Sequence, residues 1–152
     1  MTNRIGDLCR RDVAFTARET TVASAAKMMR EAHVGSLVVV DQAAAGGRVP
    51  VGIVTDRDIV VEVTATELDP RVITVGDIMR SGLATARESD SVREVLDTMR
   101  AKGVRRMPIT GEDGQLAGIV TVDDLLEVVA RQVGDMAKIV AREQAEETAA
   151  RR

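Results

Sequence analysis

The stretch GIVTDRD at residues 52–58 and its near-copy GIVTVDD at residues 118–124 decide how this chain is interpreted. Each begins with glycine and a β-branched run, which is typical of a buried strand. Each continues into a threonine followed three residues later by an aspartate, so a helix is expected to begin directly after the strand. The spacing of 66 residues between the copies indicates that a larger unit is duplicated.

The similarity between the two halves extends upstream of these stretches. GDL at residues 6–8 recurs as GDI at 76–78, and the pair MR at 29–30 recurs at 99–100, both 70 residues later. The four-residue difference in spacing is explained by an insertion in the first copy, visible as AAAGG at 43–47. Two copies of one unit therefore organise the chain. The predicted division is 1–64 for the first unit, 65–75 for a linker, 76–130 for the second unit and 131–152 for a C-terminal helical extension.

Each unit is predicted to run strand, helix, strand, strand, helix, which places the chain in the α+β class. Thr21 and Ser91 are expected to cap the first helix of each copy, and Ser91 with Glu94 matches a capping box. A unit of about 60 residues buries little core alone, so the copies should pack together about a pseudo-two-fold axis, with clefts in equivalent pairs. The predicted strands are residues 13–16, 37–40 and 51–54 in the first copy and 83–86, 107–110 and 116–120 in the second.

Composition excludes several classes of function. The net charge is −3 and the aromatic residues amount to one phenylalanine, so neither a basic surface nor a stacking platform for nucleic acid is expected. The apolar runs are too short to span a bilayer and the opening residues do not resemble a signal peptide, which favours a cytoplasmic protein without membrane partners. One cysteine and one histidine, Cys9 and His33, support neither a typical zinc site nor a nucleophilic catalytic arrangement. We therefore expect no catalytic residues, no metal site and no required cofactor.

The duplicated stretch resembles the signature of cystathionine-β-synthase-type (CBS) domains, namely glycine, two aliphatic residues, threonine or serine, two further residues and aspartate. The resemblance covers nearly the whole chain, from about Ile5 to Val129. The chain as a whole resembles small bacterial proteins that consist only of a CBS pair. This resemblance implies two βαββα units joined into a Bateman module. It also implies a homodimer of such pairs, a regulatory ligand such as AMP, ADP or ATP, and a separate effector protein that reads the ligand state.

The threonine–aspartate turn has two interpretations. By spacing alone it is a helix cap, because a threonine and an acid three residues later commonly form one. The resemblance implies that the aspartates Asp58 and Asp124 hold the ribose hydroxyls, with Thr55 and Thr121 beside the sugar and phosphate. A carboxylate offers acceptors only, so it suits two neighbouring hydroxyl donors, and the two roles can coexist.

Two adjacent arginines, Arg105 and Arg106, precede a short predicted strand. The resemblance implies that they face the phosphates of the ligand held by Asp58, with Arg57 as a further cation. The aligned positions in the first copy are Gly35 and Ser36, which carry no charge, so the site of Asp124 is expected to be weaker. The alternative interpretation of Arg105 and Arg106 is that they form ordinary ion pairs on the surface. The main ligand site is predicted from Thr16, Val51, Ile53, Thr55, Arg57, Asp58, Arg105 and Arg106, and the weaker site from Ser36, Ala86, Ile119, Thr121 and Asp124.

An apolar seam follows the second unit, with residues spaced by three and four positions as in a short heptad pattern. Gly134 interrupts the seam and costs about 1 kcal/mol in a helix interior, which allows a break there. The seam is expected to contact a partner helix in a homodimer, and the alternative is that it only covers the core of its own domain. A ligand-free structural or protein-interaction module is the corresponding alternative for the whole chain. The seam residues are Leu126, Val129, Val133, Met136 and Val140.

Overall fold

The computed structural model describes residues 4–151, so the predictions for residues 1–3 and 152 lie outside the described part of the chain. The chain divides into two compact units, of which the first ends at Val120 and the second begins at Thr121. The predicted division into two repeat units, a linker and an extension follows the duplication of the sequence rather than compactness, and it stays a prediction.

The first repeat contains three strands and two helices in the predicted order. Its second helix begins at Asp56 and continues as a π-helical turn over Val60–Thr64, where the hydrogen bond from Ala65 N–H to Val60 C=O has the wider π spacing. The elements are β1 (Phe15–Thr16), α1 (Val22–Ala32), β2 (Ser36–Gln42), β3 (Arg48–Thr55) and α2 (Asp56–Ile59).

The second repeat follows a short helix, α3 (Val75–Ile78), and has the same order of elements. The predicted α+β fold built from two βαββα units is thereby confirmed. The first strand of each repeat differs from its prediction. Residues 13–14 and 83–85 have no regular structure, and each strand that pairs with its neighbour is only two residues long. The elements are β4 (Ala86–Arg87), α4 (Val92–Lys102), β5 (Arg106–Thr110), β6 (Leu116–Thr121) and α5 (Val122–Ala150).

Each repeat forms its own three-stranded sheet, with strand order β1-β2-β3 in the first and β4-β5-β6 in the second. In the first sheet β1 lies parallel to β2 and β3 lies antiparallel to it, with a register shift between Val39 and Val40. The parallel pair requires a crossover, which α1 supplies. The loop before β3 contains the predicted insertion.

The caps of the helices agree with the sequence. Thr21 accepts a hydrogen bond from the Ser24 N–H, and Ser91 and Glu94 form the predicted capping box. Both first helices end in a left-handed residue, which is Gly103 at φ 64° after α4 but His33 at φ 54° after α1. Glycine adopts this conformation without strain, so the first copy uses the less favourable residue.

The segment that precedes each repeat crosses to the other repeat. Residues 4–10 pair with the second repeat, as in the bridge between Arg10 and Ile119, and residues 73–80 pair with the first, as in the bridge between Ile53 and Arg80. Val75 belongs to the buried core of the first repeat together with Ala25, Met29, Leu37, Val39 and Val54. The repeats therefore exchange backbone and core contacts. The sequence predicted that the copies pack together, but it did not predict the crossing of these two segments.

The second unit consists of the helix α5, with Thr121 as its N-cap. The helix passes through Gly134 without interruption, and Leu126, Val129, Val133 and Met136 are each more than half exposed. In the part of the chain that the structure describes, no helix combines the length and apolar character needed to cross a membrane.

Candidate functional site

A cavity of about 470 Å³ opens where the end of β3 meets segments of the second repeat. This volume lies within the usual range for small-molecule sites, which is roughly 300–1,000 Å³. Three chain segments form its wall: the turn from β3 into α2, the stretch that follows α3, and the turn from α4 into β5. The lining residues are Ile53, Thr55, Asp56, Arg57, Asp58, Arg80, Ser81, Gly82, Leu83, Ala84, Lys102, Gly103, Val104, Arg105 and Arg106.

Thr55 and Asp58 form a reciprocal capping box at the start of α2. The Thr55 N–H donates to Asp58 Oδ2 at 2.9 Å, and the Asp58 N–H donates to Thr55 Oγ1 at 3.1 Å. The helix-cap interpretation of this turn is therefore correct. It also fixes the direction of the carboxylate, because one oxygen is held by the backbone while the residue as a whole is only 6% exposed.

The second carboxylate oxygen of Asp58 faces an arginine from the stretch after α3. Arg80 Nε lies 3.5 Å from Asp58 Oδ1, and the two side chains differ sharply in exposure, at 77% for Arg80 and 8% for Asp58. The buried acid thus has a cationic neighbour that solvent reaches freely.

The glycine of the duplicated motif explains how Arg80 comes so close. A Cβ at Gly52 would lie 2.8 Å from Met79 Sδ and 3.2 Å from the Arg80 carbonyl oxygen, so only glycine leaves room for this segment against β3. The Arg80 N–H donates to the Ile53 carbonyl at 3.3 Å. The same arrangement recurs in the other repeat, where a Cβ at Gly118 would lie 2.8 Å from the Arg10 carbonyl oxygen.

The cavity is cationic although the chain is acidic overall. Five basic side chains and two acidic ones line it, whereas the whole sequence has a net charge of −3. Like charges gathered around one cleft repel one another unless an anion lies among them. The lining therefore favours an anionic occupant, and arginine forks suit phosphate in particular. The basic residues are Arg57, Arg80, Lys102, Arg105 and Arg106, and the acids are Asp56 and Asp58.

Most residues predicted for the main site lie in this one cavity, but two do not. Thr16 is buried in β1, and Val51 is partly buried against the core of the first repeat; neither lines the cavity. Their contact with a ligand stays a prediction. The residues that the structure brings together are Ile53, Thr55, Arg57, Asp58, Arg105 and Arg106.

The residues predicted for the weaker site are distributed over both compact units. In the first unit Ser36 is half-buried in β2, Ala86 is buried in β4, and Ile119 exchanges two backbone hydrogen bonds of 2.9 Å with Arg10. In the second unit Thr121 and Asp124 form a capping box, with the Thr121 hydroxyl donating to Asp124 Oδ2 at 2.7 Å. The weaker site stays a prediction.

Sequence reasoning missed Arg80 and Lys102 among the cations of the cavity. A signal for Arg80 was present, because the repeat GDLCR at residues 6–10 matches GDIMR at 76–80 and both copies end in arginine. Lys102 occupies the last position of α4, where a basic residue is ordinarily explained by the helix dipole. Over residues 4–151 the structure shows no group of three or more potential metal ligands.

Two βαββα repeats, each with a strand that ends in a capped threonine–aspartate turn, define a tandem pair of CBS domains. The chain belongs to the CBS domain family, whose model matches residues 5–65 and 75–131. A protein of Methanopyrus kandleri is 37% identical over 124 residues, which cover 82% of this chain and 61% of the relative. This chain thus spans less than two thirds of that relative's length.

Hypoxic response protein 1 of Mycobacterium tuberculosis is 34% identical over 119 residues, covering 78% of this chain and 80% of the relative. The crystal structure of Hypoxic Response Protein I with two coordinated zinc ions superposes with a TM-score of 0.70 and 31% identity, over 83% of this chain and 98% of that one. A hexameric CBS-CP12 protein from bloom-forming cyanobacteria superposes with a TM-score of 0.71 and 28% identity, over 83% of this chain and 67% of that one. These similarities agree with a fold of two CBS units in this chain.

Proposed function

We propose that this chain is a non-catalytic regulatory module that binds an adenosine nucleotide in the cavity lined by Asp58. Binding changes the arrangement of the two repeats, and a separate effector protein responds to the change. The observation that carries the proposal is the combination, in one cavity, of a fixed carboxylate with five basic side chains.

The two ends of a nucleotide match the two kinds of group in the cavity. Asp58 accepts hydrogen bonds from the ribose hydroxyls, and hydrogen bonds to a charged partner contribute roughly 1.5–3 kcal/mol each. Arg105 and Arg106 lie across the cavity on the second repeat and bind the phosphates, as the resemblance implies. One ligand would then contact both repeats, and it biases their arrangement to the extent that it binds one arrangement more tightly than another.

The base has an aliphatic surface to pack against. Ile53 was predicted for this role, and the cavity adds Leu83, Ala84 and Val104 from the second repeat. No aromatic side chain lines the cavity, so the adenine contacts are dispersion and backbone hydrogen bonds. The lining also has neither histidine nor cysteine, which favours binding over turnover.

We propose one main nucleotide site per chain. The positions that match Arg105 and Arg106 in the first copy are Gly35 and Ser36, so the site of Asp124 has no corresponding phosphate grip. The expected stoichiometry in calorimetry is one tight AMP site per chain. Two equal tight sites would contradict the asymmetry.

The test is isothermal titration calorimetry of AMP, ADP, ATP, NAD and S-adenosylmethionine against wild type and Asp58→Asn. Asparagine keeps the acceptor for the helix cap but removes the charge, so the fold is preserved. A loss of affinity of roughly 10- to 100-fold is expected for the best ligand, equivalent to one charged hydrogen bond. Asp97→Asn is the matched control, because this acid pairs with Arg100 on the outer face of α4. Absence of binding to wild type would favour a ligand-free interaction module.

A second proposal, self-association into a homodimer, rests on the exposed seam of α5. Leu126, Val129, Val133, Met136 and Val140 are 53–59% exposed, although their spacing is that of a helix-pairing seam. The hexameric state of the CBS-CP12 protein shows that CBS pairs can assemble. Multi-angle light scattering is expected to give a dimer for wild type and a smaller species for the double variant Val133→Lys, Met136→Lys. A monomeric wild type at micromolar concentration would contradict this proposal.

A further inference from the structure

We infer that Arg80 determines the selectivity of the cavity for phosphorylated ligands, a conclusion that rests on the proposed nucleotide site. Its guanidinium competes with ribose for the Asp58 carboxylate. A ligand that carries a phosphate offers the displaced guanidinium a new partner, and an unphosphorylated nucleoside does not.

The competition follows from the few acceptors that Asp58 has left. Oδ2 is held by the Thr55 N–H at 2.9 Å, and Arg80 Nε lies 3.5 Å from Oδ1. Because the Asp58 side chain is only 8% exposed, few directions of approach remain around these two oxygens. Ribose hydroxyls that approach Oδ1 therefore meet the guanidinium of Arg80.

The backbone of Arg80 is held in place, whereas its side chain is able to move. Its backbone N–H donates to the Ile53 carbonyl, and its own carbonyl oxygen would lie only 3.2 Å from a Cβ at Gly52, so the backbone of Arg80 lies close against β3. The side chain itself is 77% exposed, so its rotation disturbs little packing. A long side chain anchored at the cavity wall is thus able to turn from Asp58 to a phosphate.

The phosphate to which the Arg80 side chain turns would bind in the same cavity. Arg105 and Arg106 line it from the α4–β5 turn, and Lys102 lies at the end of α4. A phosphate there neutralises several like charges at once, and Arg80 adds a forked donor to that group. Adenosine has to separate the Arg80–Asp58 pair without this compensation, which lowers its affinity relative to AMP.

The duplicated position also carries an arginine. Arg10 occupies the matching place in the other repeat, and its backbone N–H and carbonyl both pair with Ile119 at 2.9 Å. Both repeats thus place an arginine of the crossing segment next to the strand that carries the motif.

The test compares adenosine with AMP by calorimetry on wild type, Arg80→Ala and Arg80→Lys. In R80A we expect adenosine to bind severalfold more tightly and AMP more weakly, so that the ratio of their dissociation constants falls about tenfold. R80K keeps the charge without the planar fork, so an intermediate ratio is expected. Arg71→Ala is the matched control, because Arg71 is 81% exposed and pairs with Asp69 away from the cavity.

The outcomes separate the two proposals. If wild type binds AMP but R80A leaves the ratio within twofold of wild type, the role of Arg80 is overturned and the nucleotide site stands. An equal change of this ratio in R71A would also overturn the role of Arg80, because the loss of any positive charge on the chain would then explain the effect. If wild type binds none of adenosine, AMP, ADP and ATP, the nucleotide site fails and the role of Arg80 fails with it. Thermal unfolding of each variant confirms that the fold is retained.

Discussion

The Nε atom of Arg80 lies 3.5 Å from the Oδ1 atom of Asp58, although the two residues belong to different repeats. This relationship exists because the segment around Arg80 crosses to the first repeat and pairs with Ile53. A local helix cap, made by Thr55 and Asp58, thereby becomes one side of a charged cavity. The crossing of this segment between the two repeats thus helps to form the cavity in which we propose that the nucleotide binds.

Replacing Gly52 with alanine should destabilise the first unit. The new Cβ would meet Met79 Sδ at 2.8 Å and the Arg80 carbonyl at 3.2 Å, so the Met79 side chain has to move and the Arg80 carbonyl has to give way slightly. We expect a loss of about 1–3 kcal/mol in the free energy of unfolding, measured by urea titration, and weaker AMP binding. Gly134→Ala is the control, because no heavy atom lies within 4 Å of its Cβ and alanine favours the helix by up to about 1 kcal/mol. Equal unfolding midpoints for the two variants would contradict this explanation of the motif glycine.

Thr16→Val should stabilise the fold. Among the residues that the structure describes, the buried hydroxyl of Thr16 has no hydrogen-bond partner, and valine has the same shape without the polar atom. A gain of about 1 kcal/mol in the free energy of unfolding is expected. Thr110→Val is the matched control, because the Thr110 hydroxyl donates to the Ala86 carbonyl at 3.3 Å and its loss should be destabilising. Destabilisation of both variants to the same extent would show that the Thr16 hydroxyl is hydrogen-bonded in solution.

The residues that end α1 and α4 should respond in opposite ways to substitution. His33→Gly relieves a left-handed conformation at φ 54° and is expected to be stabilising, whereas Gly103→Ala imposes one at φ 64°. Each effect is about 1 kcal/mol in size, because a Cβ in the left-handed region is unfavourable by about this amount. Thermal unfolding by circular dichroism measures both. A lower midpoint for His33→Gly would indicate that the imidazole makes a stabilising contact that outweighs the strain.

Stability should fall on acidification through the helix caps. Hydrogen bonds from the Ser91 backbone N–H and then its hydroxyl hold the pKa of Glu94 below its ordinary value of 4.5, and the Thr74 backbone and hydroxyl lower the pKa of Asp77 in the same way. Because the folded pKa is the lower one, this stabilisation is complete above the unfolded pKa and is lost as the pH falls through the folded pKa. The Glu94→Gln variant keeps the cap without the titration, so its unfolding midpoint should depend less on pH below about 4.5. An unchanged pH dependence would contradict the contribution of Glu94.

Features that join residues close together in the chain could be predicted from the sequence. The helix caps at Thr21, Thr55 and Ser91 each join residues three positions apart, so their hydrogen bonds follow from local spacing. The duplicated runs of β-branched residues predicted the paired strands, and the repeat predicted two similar units. The pairing of Asp58 with Arg105 and Arg106 came from the family resemblance, and the structure places all three in one cavity.

The meeting of distant segments became visible only in the folded chain. The crossing of residues 73–80 to the first repeat brought Arg80 to Asp58 and placed Val75 in the core of the first repeat. Thr16 is buried outside the cavity, and of the predicted strand at 83–86 only Ala86 lies in β4, which pairs with β5. Contacts between residues far apart in the sequence depend on how the two repeats pack, and local sequence patterns do not determine that packing. Local sequence therefore fixes the turn that carries Asp58, and packing fixes the cations that surround it.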